Sequence, residues 1–332
     1  MADAVAKAYA AKLDSIIASG DKLDAAAAKE VYRLIAKARG DVARILADAP
    51  SDWKLTHYGV LKARIDKVLE DFRSDFGRAV AQGTRSRWAD GAELTDEMLA
   101  EFGGEAKMLA IPMDRRQLAA LNGIGADQVT NLTDEVMADI GLKLKLGIIS
   151  GKTPFDVMKD IGRALVDEDG NPAPGVFGDV MTRAEVIVRT EQGRAYAVAQ
   201  QSRLEDWERR QPGLQKFWLA VGDDRTRPSH LRAGEEYGRD PGADPGPIGV
   251  DEKYILRVLP SEDTKSLPAG EYECKYPRDP LLPPGLSVQC RCQSLAWRAE
   301  WFKYVKTREA IRYLREAARE MTPCGMPVRR AA

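Results

Sequence analysis

A chain of 332 residues, 44% hydrophobic and 30% charged, has the length for two domains and the composition of a soluble globular protein. Its 50 basic and 51 acidic residues nearly cancel, which excludes nucleic-acid binding by the charge of the molecule as a whole, so any such contact must be local. Four cysteines, Cys274, Cys290, Cys292 and Cys324, are too few for a disulfide scaffold and fit synthesis in a reducing cytoplasm.

The first ten residues lack the basic and apolar regions of a secretory leader. No apolar run approaches the ~20 residues that cross a bilayer, so no membrane partner is expected. From Ala2 to about Gly83 the sequence is alanine-rich and favours helix, with Gly20, Gly40 and Pro50-Ser51-Asp52 as interruptions. Leu23, Val31, Leu34, Ile35, Val42, Ile45 and Leu46 recur at three- and four-residue steps, and Val60, Leu61, Ile65, Val68, Leu69 and Phe72 repeat the pattern. The expectation is a bundle of about three long helices. Between Gly83 and Gly125, glycines and Pro112 predict short helices, one opening at Thr95. A further helix is predicted from Gln128 to Gly147, with Val129, Leu132, Val136, Ile140, Leu144 and Ile148 on one side.

The run Gly147-Ile-Ile-Ser-Gly151-Lys152-Thr153 resembles a phosphate-binding loop in spelling, but three residues separate its glycines where that loop needs four. Thr153-Pro154 instead reads as a helix N-cap followed by proline at the first position. A polar turn cluster, Asp167 to Gly175, precedes the longest uninterrupted helix, about Asp179 to Arg209. Phe217–Val221 and Tyr254–Val258 are β-prone, and Leu286 to Leu295 alternates apolar with polar residues. A basic amphipathic helix is expected from about Val305 to Met321. Arg308, Arg312, Arg315 and Arg319 share one of its faces, which can contact DNA phosphates or an acidic partner, or simply face solvent.

These elements predict an α+β fold. Its parts are a helical region at 1–125, connecting helices at 126–175, a small mixed module on one long helix at 176–297, and a basic helix and tail at 298–332. Within the module, His230, Cys274, Cys290 and Cys292 offer one imidazole and three thiolates, the ligand set of a structural zinc site. On a strand, Cys290 and Cys292 would point one way and Arg291 the other. Buried free cysteines that pack as small hydrophobes are the alternative. Asp223-Asp224-Arg225-Thr226-Arg227-Pro228 predicts a turn, with Arg227 reaching back to Asp224 or Glu191.

Catalytic groups are harder to find. Glu271-Tyr-Glu273 spells the paired glutamates of ADP-ribosyltransferases, but their Ser-Thr-Ser strand is missing, and neither His57 nor His230 lies beside an obvious nucleophile. A nucleotide-modifying or nuclease-like effector enzyme and a zinc-stabilised nucleic-acid-binding module remain as alternative functions.

Four pieces occur in a set order. They are the Arg183-to-Ala195 run containing Arg189-Thr190-Glu191 and Arg194, the Trp218 segment leading to Asp224, Arg227 and His230, Pro277-Arg-Asp-Pro280, and Gln289-Cys290-Arg291-Cys292. This order resembles the phage Mu F-type head morphogenesis family, with Gln289 where the family pattern has asparagine. The resemblance implies a non-enzymatic minor head protein inside the virion, at the portal vertex. It also implies a part in DNA packaging or delivery, with the portal protein, major capsid or scaffolding proteins and packaged phage DNA as partners. Arg183, Arg189, Thr190, Glu191, Arg194, Trp218, Asp224, Arg227 and His230 are then structural motif residues.

Overall fold

A computed structural model describes residues 2–103, 114–162, 175–239, 242–264 and 267–298. The expected basic helix with Arg308, Arg312, Arg315 and Arg319 lies outside the described residues, as do Cys324 and most of the Asp167–Gly175 turn cluster. The described elements are α1 (Ala2–Ala47), α2 (Leu55–Gly103), α3 (Arg115–Ile149), α4 (Pro154–Ile161), α5 (Val176–Arg210), β1 (Gln215–Leu219), α6 (Pro228–Glu236), β2 (Ile248–Gly249), β3 (Tyr254–Val258), β4 (Gly270–Cys274), α7 (Pro284–Ser287) and β5 (Gln293–Trp297). Helices thus dominate an α+β fold with small antiparallel sheets. Among the described residues, no helix is long and apolar enough to cross a membrane.

Two long helices replace the three expected at the N-terminus. Helix α1 continues through Gly20 and Gly40, and α2 continues through Gly83 and Gly91 as far as Gly103. Thr95 therefore caps nothing. Its hydroxyl donates to the Gly91 carbonyl one turn earlier, at 3.2 Å. Likewise α3 begins at Arg115 and passes through Gly123 and Gly125 rather than starting at Gln128. An interior glycine costs a helix about 1 kcal/mol, less than burial of one large apolar side chain returns.

The chain forms two compact units, neither a single stretch of sequence: Ala26–Gly83 with Ala119–Glu191, and Met1–Ala25 with Thr84–Leu118 and Gln192–Ala332. The sequential partition at 125, 175 and 297 does not match these units. Among the described residues, the regular elements of the first are all helices. Its core contains Ile35, Val42, Leu46, Ile65, Leu69, Phe76, Val136, Ile140, Leu144, Val157 and Phe177. The predicted stripes supply most of these residues, but Val60, expected inside, is 66% exposed. The segment that only spells like a phosphate loop is the α3–α4 corner. Gly151 sits at φ 67°, Lys152 pairs with Asp160 at 2.7 Å, and Thr153 forms the predicted cap in a capping box with Asp156.

The second unit is mixed. Its three-stranded antiparallel sheet has the order β2-β1-β5, with Phe217 opposite Leu295 and Trp218 opposite Ser294. The antiparallel β3–β4 pair sets Tyr254 opposite Cys274. Tyr196 on α5 packs with Phe217 and Leu295, and with Leu94 and Met98 on α2. Leu204 and Trp207 pack with Leu214, Val250 and Ala296. The stretch of α5 from Gln192 onward packs on this sheet, so helix-on-sheet packing is present within this unit, while the first part of the predicted long helix belongs to the helical unit.

At Gly91, α2 passes so close to α5 that a Cβ would stand 2.4 Å from the Tyr196 carbonyl oxygen. Gly91→Ala should therefore lower stability by about 1–3 kcal/mol, the cost of forcing backbone apart in a packed core. Urea unfolding measures this, and a midpoint equal to wild type would show that the two helices are not held this closely.

Lys216 on β1 is fully buried, yet among the described residues its ammonium has only neutral acceptors, the Lys275 carbonyl at 2.8 Å and the Gln201 amide oxygen at 3.3 Å. The Tyr254 ring lies 5.1 Å away. Burial, and then the nearby Lys275 charge, push its pKa from 10.5 down to about 7. Below about pH 7 this lysine is charged in both the folded and unfolded chain, and the folded state bears the full desolvation cost. As pH rises from 7 to 10.5 the folded lysine is neutral while the unfolded one still binds a proton, so the cost falls away. Lys216→Met should therefore remove a rise in stability with pH of up to about 4–5 kcal/mol over that window. Chemical denaturation of both proteins at pH 7 and pH 9.5 tests this, and parallel pH profiles would contradict it.

Candidate metal centre

Local sequence explains how three distant side chains come to one point. After β1 the chain turns at Gly222, which has φ 80°, and Asp223 closes the turn by accepting from the Thr226 hydroxyl at 2.8 Å and the Thr226 amide at 3.0 Å. Pro228 then opens α6, and its first turn presents His230 inward, 1% exposed. The Trp218 indole meets the His230 ring edge-on, with centroids 5.5 Å apart and an angle of 89°.

The cysteines arrive by a different route from the one predicted. Cys290 and Cys292 do not lie on a strand; they follow α7 and precede β5. Gln289 takes φ 53°, a left-handed conformation that reverses the chain, and the Cys290 amide returns to the Ser287 carbonyl at 3.3 Å. Both thiols nonetheless face one side. Their sulfurs lie 3.4 and 3.5 Å from His230 Nδ1.

All three side chains are buried, and their donor atoms lie within 4.8 Å of one another. A tetrahedral zinc with bonds of about 2.0–2.1 Å to nitrogen and 2.3 Å to sulfur sets its ligand nitrogen and sulfur about 3.5 Å apart. The observed spacings fit that edge, so the group can hold a metal ion. The two thiols share their protons unequally. The hydrogen bond from Cys292 draws Cys290 well below its ordinary range against the effect of burial, with His230 adding to the shift. Donating that bond, together with burial, drives Cys292 well up. Metal binding needs deprotonated thiols, and the downward shift of Cys290 beside an imidazole favours that.

Cys274 is not a member of this group. It ends β4 in the core that also holds Trp218, Tyr254, Leu256, Cys290 and Cys292, and burial pushes its thiol well up. Of the four expected ligands, His230, Cys290 and Cys292 come within donor distance of one another, while Cys274 stands opposite Tyr254 in the same core.

The motif residues divide. Arg194 donates to the Arg278 carbonyl at 3.4 Å, while Arg278 donates to the Gly193 carbonyl at 3.0 Å and to the Cys290 carbonyl. Arg278, Arg194, Trp218, His230 and the two cysteines therefore form one connected buried hub. In the helical unit, Arg183 pairs with Glu135, and Arg189 with Glu185 at 2.7 Å as its four-residue spacing suggests. Thr190 and Glu191 are buried. Asp224 is exposed, and Arg227 does not reach back to a carboxylate; it donates to the Val288 carbonyl at 2.7 Å.

The aspartate that acts in the turn is Asp223, which accepts two hydrogen bonds from Arg291, one of 2.5 Å. Burial raises its carboxyl, but the Arg291 and Thr226 hydrogen bonds outweigh that and hold it below the ordinary range. Choosing between adjacent aspartates requires the turn geometry. Arg278 had a sequence signal, since Pro277-Arg-Asp-Pro280 is a turn spelling, yet nothing in it says that the arginine points inward at φ 67°.

Glu271 and Glu273 lie on β4 and pair at the surface with Arg257 and Lys253, at 3.0 and 2.8 Å. Comparison with family models, curated proteins and solved structures finds no match to this chain.

Proposed function

We propose that this chain is a non-enzymatic minor head protein of a tailed bacteriophage, acting at the portal vertex in head assembly and in DNA packaging or delivery. On this reading a zinc ion held by His230, Cys290 and Cys292 clamps its mixed unit. One observation carries the reading: motif pieces far apart in sequence, from Arg194 through Trp218 and His230 to Cys290 and Cys292, meet in a single buried hub bridged by Arg278. A buried arginine spending its donors on backbone carbonyls holds segments together and offers little to a substrate. Zinc is favoured among metals because one imidazole and two thiolates are its customary donors.

The major capsid or scaffolding proteins and packaged DNA are the further partners. The basic C-terminal arginines are the natural DNA contact, through salt-sensitive phosphate binding. Co-expression with the portal protein of the same phage, followed by gradient sedimentation, tests the assignment. Co-migration with the portal ring is the expected result. Sedimentation of the chain at its own mass, with the portal ring bare, would overturn it.

A further inference from the structure

We propose that a metal at this centre keeps its fourth coordination position open, where it binds an exchangeable small anion. This rests on the metal reading above. Among the described residues, the group comprises three donors only, His230, Cys290 and Cys292, whereas zinc is normally four-coordinate. A closed structural site draws all four ligands from protein, while a site with three protein ligands keeps a position for solvent or another small ligand.

The geometry points to where that position lies. A narrow cleft is lined by His230 and both cysteines, and its remaining walls are Val221, Arg225, Thr226, Arg227, Gln289 and Arg291. Its floor has room for roughly one water-sized ligand.

Charge decides which ligand is preferred. A divalent ion with two thiolates and a neutral imidazole carries no net charge, so the centre alone has no preference for an anion. The cleft supplies one. Arg225, Arg227 and Arg291 line it, and Asp223, which Arg291 pairs with and Arg225 approaches at 3.7 Å, offsets only one of the three charges. An anion on the metal would therefore lie in a positive surround shielded from bulk water on one side, where its attraction to the arginines is strengthened.

The test loads the full-length chain with cobalt(II) in place of zinc and titrates it with azide. Cobalt reports coordination through its d–d bands, and its thiolates through charge-transfer bands whose intensity scales with their number. Azide should shift the d–d bands saturably. Arg225→Gln, at an exposed arginine, should weaken azide binding about threefold while leaving the bands of the azide-free form in place. Cys274→Ser and Cys324→Ser should leave the charge-transfer intensity unchanged.

Cobalt bands that azide does not move would overturn the open position while leaving the metal site standing. A loss of charge-transfer intensity in either serine variant would do the same by naming a third thiolate. Absence of any cobalt bands would remove the metal reading itself, and this inference with it.

Discussion

On the proposed zinc reading, stripping the metal from the His230–Cys290–Cys292 centre should lower the melting temperature by about 8–16 °C. A ligand present at a thousand times its dissociation constant stabilises the folded state by about 4 kcal/mol, and each kcal/mol moves the melting temperature of a unit of this size by about 2–4 °C. The effect is large because the centre joins segments that share little regular structure. The ion would fasten the first turn of α6 to the turn before β5, adding to the core these segments share through Trp218, Ala233 and Leu286.

His230→Ala should abolish metal binding, but it also leaves a hole beside Trp218, so part of its cost comes from packing. Cys290→Ser separates the two contributions, because a hydroxyl is close in size to a thiol and a far poorer zinc ligand. The measurement is thermal unfolding with and without a strong chelator. Wild type should lose its metal-dependent stability on chelation, and Cys290→Ser should start low and stay there. An equal response to chelator in both proteins would contradict the assignment.

The second large effect is expected at Asp96. Its carboxylate receives Arg203 in a two-pronged pair, with Nε to Oδ1 at 2.5 Å, and also accepts from the Trp207 indole at 2.9 Å. Arg203 is 5% exposed and Asp96 is 7% exposed. Asp96→Ala leaves a guanidinium buried without its counter-charge and should cost about 3–5 kcal/mol. The double variant Asp96→Leu, Arg203→Met should recover most of that loss, because it removes both charges and keeps apolar volume. Urea unfolding of the single and double variants measures both values. A loss below about 1 kcal/mol for Asp96→Ala would mean that water reaches the pair and screens it.

Periodicity made the helices and most of their buried faces legible in the sequence, because the apolar steps of α1, α2 and α3 are what the core selects. It misplaced their ends. Gly83, Gly91 and Gly125 read as breaks, yet each lies inside a helix, since an isolated glycine costs little against a long buried stripe. The division into units was not legible either, because each unit draws on separated stretches of the chain.

At the site, residue types were readable and partners were not. His230, Cys290 and Cys292 stand out as donors in any reading of the sequence, but which of the four donors converge depends on donor distances that only the fold sets, and choosing Asp223 over Asp224 depends on a turn. Lys216 gave no signal at all. A lysine at the start of an aromatic strand is ordinarily exposed, and only the packing of Tyr254 and Gln201 around it shows otherwise.

The most direct test of the account is the metal content of the full-length chain, purified without added metal or chelator and quantified by elemental mass spectrometry. The account predicts about one zinc per chain, lost in His230→Ala and Cys290→Ser and retained in Cys274→Ser. Metal-free wild-type protein whose melting temperature is indifferent to added zinc would contradict it, reducing Cys290 and Cys292 to packing residues around the Arg278 hub.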